Sequence, residues 1–322
     1  MKILIAYDGS KDSEAAIDDL SSSGLPASGK AEVISVAEVW LPPIGVDNND
    51  EASPYVEEVL RESRERGERA VTEAEMLAKF AAGRVRTALP EWDVTSFASY
   101  GSPGWEIVAR AKEIDADLIV VGAQGQSIIS RLVLGSISQR VITEAHCSVR
   151  VGRGNIELDP IAERIIVGFD GSPGALAAVD SVASRNWDPS AEFKLVVVSE
   201  PVLPPAIGRF VTPVATNVEE ATVAARVWIE SAAEVAIAKI RASGFDAALH
   251  ISSGNPKRVL PDEAGRWGAD CIFMGASASR NPFERVLIGS TSAAVAARSH
   301  CSVEVARVTV PANQLIDPAI SV

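Results

Sequence analysis

The chain has 322 residues, 47% hydrophobic and 23% charged, with a formal net charge of −13. That length suits about two domains, the apolar fraction excludes global disorder, and so acidic a chain is not expected to bind nucleic acid or an anionic membrane, both of which need basic surface. No apolar run reaches the ~18 residues of a membrane span, the N-terminus MKILIAYDGS has neither an h-region nor a cleavage site, and three scattered cysteines (Cys147, Cys271, Cys301) make no disulfide framework, so a reducing cytoplasm is the expected setting.

Residues 2–7 form a short apolar run ending in Asp8-Gly9-Ser10, the pattern of a buried strand followed by a helix with Ser10 or Asp12 as N-cap. A helix is expected over 14–20, a second strand over 33–39, then Leu41-Pro42-Pro43. Residues 55–80 mix apolar positions with many Arg and Glu, as a long solvated helix does. A third strand follows at 94–98, a helix at 105–113 with Pro103 just ahead of it, and a fourth strand at 118–121. A fourth helix is expected at Ser136–Glu144 and a fifth strand at 148–151.

The whole series then recurs. Ile3 to Ser10 reappears as Ile165 to Ser172, Asp115 to Ala123 as Gly268 to Ala276, and His146-Cys147-Ser148-Val149 as His300-Cys301-Ser302-Val303. Matched blocks in one order indicate a duplication. The offset falls from 162 to 154, so the first copy is about eight residues longer, most simply around 84–92. Residues 152–163 read as the linker. The expected domains are 1–152 and 153–310, with a tail at 311–322. Strand and helix alternation with continuously apolar strands implies, for each copy, a parallel sheet covered on both faces. Ligands in such sheets bind beyond the carboxyl ends of the strands where strand order reverses, which selects the loops after strands one, two and four.

After strand four the first copy reads Gly122-Ala-Gln-Gly125, nine residues, then Gly135-Ser136 at a helix start. Glycine admits close backbone approach, and the free N–H groups of a helix N-terminus, with the dipole behind them, cradle anions without side-chain charge. The Ser136 hydroxyl, and that of Ser138, are candidate phosphate donors. This GAQG-x9-GS pattern resembles the nucleotide motif of the universal stress protein family. The likeness extends to the Asp8-Gly-Ser strand end, the Gly101-Ser102-Pro103 turn and the Ala145, Cys147, Val149 entry to strand five, and it covers nearly the whole chain as two tandem copies.

The resemblance implies two doubly wound, Rossmann-like α/β domains, each a five-stranded parallel sheet of order 3-2-1-4-5, with ATP at the switch point between strands one and four. It implies Asp8 at the ribose, Val36 offering backbone groups to the adenine edge, Gly122 and Gly125 along the ribose-phosphate segment, and Gly135 and Ser136 at the outer phosphates. Mg²⁺ would be held mainly by phosphate oxygens and water. In the second copy Asp170, Val198, Gly275, Gly289 and Ser290 match. The second glycine is replaced there (Ala278 or Ser279), the loop is one residue longer, and Arg280-Asn281-Pro282-Phe283 fills it. A Cβ and a proline in that loop predict weaker phosphate binding or none.

The implied function is an ATP-binding regulator or sensor; a slow ATPase or adenylyl-transferring enzyme, and an interaction module without nucleotide, are the alternatives. No P-loop and no catalytic constellation is evident. His146-Cys147 and His300-Cys301 read as duplicated strand entries rather than a zinc site, because neighbours on a strand face opposite ways. Arg131 and Arg285 precede the second glycine pair in matching places and read as structural. Arg150 and Glu304 also match and carry opposite charge. That favours pairing the two strand-five edges within one chain, an intramolecular pseudo-dimer that leaves further homodimerisation open.

Overall fold

The computed structural model describes residues 1–39, 54–124, 134–154, 163–199, 212–276 and 290–308, with residues 54–57, 212–223, 225 and 290 described by their backbone alone. Both Leu-Pro-Pro segments, Gly125, Arg131, Ala278, Ser279, residues 280–283, Arg285, Gly289, most of the expected linker and the tail lie outside the described residues.

The first copy runs β1 (Lys2–Ala6), α1 (Lys11–Asp18), β2 (Lys30–Ala37), α2 (Pro54–Ala88), β3 (Asp93–Tyr100), α3 (Pro103–Glu113), β4 (Leu118–Gly122), α4 (Ser136–Glu144) and β5 (Ser148–Gly152). The second repeats it as β6 (Arg164–Phe169), α5 (Pro173–Ala183), β7 (Glu192–Ser199), α6 (Thr212–Ala242), β8 (Asp246–Ser253), α7 (Pro256–Trp267), β9 (Cys271–Gly275), α8 (Ser290–Arg298) and β10 (Ser302–Ala306). Helix α1 starts ahead of its apolar pattern because Ser10 Oγ accepts the Ser13 N–H at 3.1 Å. The last residues expected in that helix tighten into a 3-10 turn, Asp19–Ser22. Among the described residues no helix is long and apolar enough to cross a membrane.

All strands among the described residues join one ten-stranded sheet of order β3-β2-β1-β4-β5-β10-β9-β6-β7-β8. Each half has the 3-2-1-4-5 order, parallel throughout. The halves meet where β5 pairs antiparallel with β10, Arg150 opposite Glu304 and Val149 and Val151 opposite Val305 and Val303. The edge-to-edge pairing expected from the charges is thus the one observed. Side-chain alternation gives the seam two unlike faces. On one, Val149, Val151, Val303 and Val305 fuse the cores under α3, α4, α7 and α8 into a single apolar cluster. On the other, two separate clusters lie under α1–α2 and α5–α6, and buried charge fills the gap. There Arg150 Nε donates to Asp19 Oδ2 at 2.6 Å, its Nη1 approaches Glu304 Oε2 at 3.3 Å, and Arg185 donates to the other Glu304 oxygen. Ser302 Oγ completes Asp19 at 2.8 Å. Burial opposes the Arg150 charge, yet Asp19 and Glu304 together hold the guanidinium well above its ordinary pKa.

The extra length of the first copy is not where the sequence offset suggested. Ala78, Ala81, Ala82 and Val85 form the buried face of α2, and Ala233, Ala236, Ile237 and Ile240 form that of α6, 155 residues on; β2 and β7 are 162 apart. Most of the insertion therefore precedes Ala78 instead of falling at 84–92. Each residue added within the buried turns would rotate the apolar face by about 100° away from the sheet. A second divergence is electrostatic. Arg110 on α3 clasps Glu32 on β2 through two bonds of 2.6 and 2.8 Å. At the matching places Lys194 on β7 donates to Glu263 on α7 at 2.9 Å, the same ion pair with its polarity reversed.

Candidate functional site

The loop after β1 is built by Asp8, whose Oδ1 accepts the Ser10 N–H at 3.0 Å around Gly9 at φ 78°. This is an Asx turn, and it sets Ser10 as the cap of α1. The end of β4 lies against that helix start: a Cβ on Gly122 would come within 2.7 Å of the Asp12 carbonyl carbon. Glycine at the head of the motif is thus required by strand–helix packing. Beyond β4, Gly135 N–H donates to Ala123 O at 2.8 Å, and Gly135 becomes the N-cap of α4 with no side-chain cap bond. The Ser138 hydroxyl, a candidate phosphate donor from sequence, instead donates to Gly122 O at 2.6 Å and is buried. It ties α4 to the strand end, and its proton is directed at the backbone.

The end of β2 supplies main-chain groups. Ile34 O accepts from Tyr7 N on the β1 side, and Ala37 O accepts from Gly101 N on the β3 side. Alternation then aims the N–H and C=O of Val36 past the end of β1. A cavity of about 550 Å³ occupies this place, and Asp8, Val36, Gly122, Gly135, Ser136 and Ser138 all line it. Gly125 lies outside the described residues. Ile34, Leu77 and Ile107 give it an apolar floor, while Glu38, Glu73 and Gln124 add polar atoms. Tyr7 lies beneath with its hydroxyl 3.5 Å from Glu14 Oε1; burial first, then the Glu14 charge, raises its phenol pKa. A second groove, of about 580 Å³, is lined by Asp262, Arg266 and His300. It opens at the amino end of β10 beside α7, and it gathers no residue of the motif.

In the second copy Asp170 builds the same turn, Oδ1 accepting from Ser172 N at 2.9 Å, and Ser292 Oγ donates to Gly275 O at 3.0 Å. Gly275 is held still more closely, its notional Cβ 2.0 Å from the Gly174 carbonyl carbon. Val198 lies near the end of β7, Ser290 opens α8, and Gly289 is outside the described residues. The mouth differs. Trp228 occupies the α6 position that Glu73 holds on α2, and its ring lies on Gly171, 2.6 Å from where a Cβ would be. Among the described residues no group of three or more His, Cys, Asp or Glu could hold a metal ion. Burial pushes the Cys147 and Cys301 thiols up to about 12 and the Cys271 thiol higher.

The profile of the universal stress protein family matches residues 1–153 and again 162–307. This chain belongs to the universal stress protein family. The curated relatives match stretches of about half the chain. Universal stress protein MJ0531 of Methanocaldococcus jannaschii is 32% identical over 151 residues, 47% of this chain and 80% of its own length. A Thermus aquaticus universal stress protein is 31% identical over 151 residues, 97% of its length. Among solved structures, a universal stress protein of Archaeoglobus fulgidus shares the fold with a TM-score of 0.58 at 21% identity, covering 95% of this chain and 96% of its own.

Within this universal stress protein fold, several residues of the cavity escaped sequence reasoning. Tyr7 adjoins the Asp-Gly-Ser block, so its position at the strand end could have flagged it. Glu73 and Leu77 sit one turn apart on α2 beside the alanine stripe Ala74–Ala78–Ala81, and a small-residue face on a long helix is the signal that would have found them. Glu38 follows β2 directly. The assembled groups are arranged by type. Acceptors (Asp8, Glu38, Glu73) lie toward β1 and β2, and α4 starts after β4, one strand from β1 and two from β2.

Proposed function

We propose that the N-terminal copy binds an adenine nucleotide, ATP with Mg²⁺ in the first instance, and that the chain is a nucleotide-responsive regulator. The single observation that carries this reading is the cavity itself, where groups expected from six separate sequence positions line one space at the strand-order reversal. Its volume is in the range of sites for ligands of nucleotide size. Its polarity suits a ligand with an anionic tail and a hydroxyl- and amine-bearing body. The amides of Ser136 and its successors, with the α4 dipole behind them, would take phosphate oxygens. Asp8 would accept from ribose hydroxyls, and the Val36 main chain would meet the adenine edge. Mg²⁺ would be bound by phosphate oxygens and water, because the described cavity residues hold no carboxylate cluster suited to it.

In the C-terminal copy Trp228 over the Asp170 turn, together with the altered glycine loop, supports weak binding or none. Ligand binding would order the α4 end of the cavity and shift the population able to engage a partner. Titration calorimetry with Mg-ATP, ADP and AMP tests this: about one strong site per chain is expected. No heat and no thermal shift with any of the three would refute it.

A further inference from the structure

The residue that follows each fifth strand is an arginine, and each reaches into the other copy. Arg307, after β10, donates through Nη2 to Ile142 O at 2.5 Å, in the last turn of α4, and through Nη1 to Ala145 O, just past the helix end. Arg153, after β5, donates through Nη1 to Ala296 O of α8 at 2.7 Å. The backbone repeats the exchange, with Arg307 N bonded to Ser148 Oγ at 3.2 Å and Arg153 N to Ser302 Oγ at 2.9 Å. Ile142 and Ala296 are equivalent in the repeat, as are Ser148 and Ser302, so this is one interaction made twice across the seam. It is not surface decoration: Arg307 is 8% exposed, and its Nε is buried without a partner among the described residues.

Two features give the contact a role. A helix C-terminus carries unpaired carbonyls and the negative end of the dipole, and a cation there both pairs them and stabilises the helix. Helix α4 has no basic residue in its own last turn, whereas α8 has Arg298. Helix α4 is also short, nine residues, so what holds its C-terminus governs where its N-terminus points. That N-terminus, at Gly135 and Ser136, faces the cavity.

We propose that Arg307 of the second copy is a positioning residue for the candidate site of the first, and that Arg153 acts reciprocally on α8. Each copy thereby completes the helix that the other presents to a ligand. The degenerate second copy is then retained as a structural part of the first copy's site. The ligand arm of the test rests on the nucleotide reading above; the exchange arm does not.

In the full-length chain without ligand, Arg307→Ala is expected to speed amide hydrogen exchange in α4 about tenfold or more, leaving α8 near wild type. Arg153→Ala is expected to do the reverse. A general loss of packing would loosen both helices in both variants, and that result, or an unmoved α4 in Arg307→Ala, overturns the proposal. Should Arg307→Ala not fold, Arg307→Lys keeps the charge with a poorer fork and carries the same comparison, with a smaller rise confined to α4. In titration, Mg-ATP should bind Arg307→Ala about tenfold more weakly, and Arg307→Lys should recover part of the difference. If wild type binds no adenylate, the nucleotide reading fails while the crosswise exchange pattern still decides the role of Arg307.

Discussion

The two crevices are built on one plan and furnished differently. In both, an Asp carboxylate closes the turn after the first strand, a glycine at the fourth strand's end touches the first helix, and a serine two residues into the fourth helix donates to that glycine's carbonyl. Only one of the two keeps the full glycine loop, and one has Glu73 where the other has Trp228. The duplication thus serves as an internal control. Gly122 and Ser138 have counterparts in Gly275 and Ser292 and are accounted for by packing. The differing positions, Glu73 against Trp228 and the two glycine loops, are where the copies would diverge in any ligand they hold.

The largest expected effect is at the seam, where the copies differ by charge. Among the described residues, Glu304→Ala leaves Arg150 with Asp19 as its one carboxylate partner and Arg185 with none, both side chains buried, and should cost about 3 kcal/mol in denaturant unfolding; a loss under about 1 kcal/mol would mean the charge cluster is solvated. Next is the reversed ion pair. Glu32→Lys sets a second cation against Arg110 and should cost about 2 kcal/mol, and adding Arg110→Glu, which recreates the second copy's polarity, should restore at least half. Additive losses would show that the two sites do not interact. Smallest in stability is Glu73→Trp, on an exposed helix position, within about 0.5 kcal/mol. It should nonetheless weaken Mg-ATP binding to the first copy, and unchanged affinity would remove this position from the selectivity argument.

The order of strands and helices was legible because each strand is a continuous apolar run bounded by turn residues, and the repeat doubled every signal. Helix α4 has the very limits its pattern predicts, and Arg150 against Glu304 revealed the seam. The bond from Ser138 to Gly122 O was not legible, because the acceptor lies 16 residues away and only the folded helix brings them together. The insertion was misplaced for a related reason: offsets count residues, whereas the buried face of α2 fixes which residues can be added. Arg153 and Arg307 carried no local sign at all, since each caps a helix belonging to the opposite half.

Because β5 and β10 run antiparallel, the carboxyl ends of the first five strands point one way and those of the other five point the opposite way. The two crevices therefore open on opposite rims of a single slab. On the nucleotide reading proposed above, a partner lying flat against one rim would meet the occupant of one copy and not that of its twin.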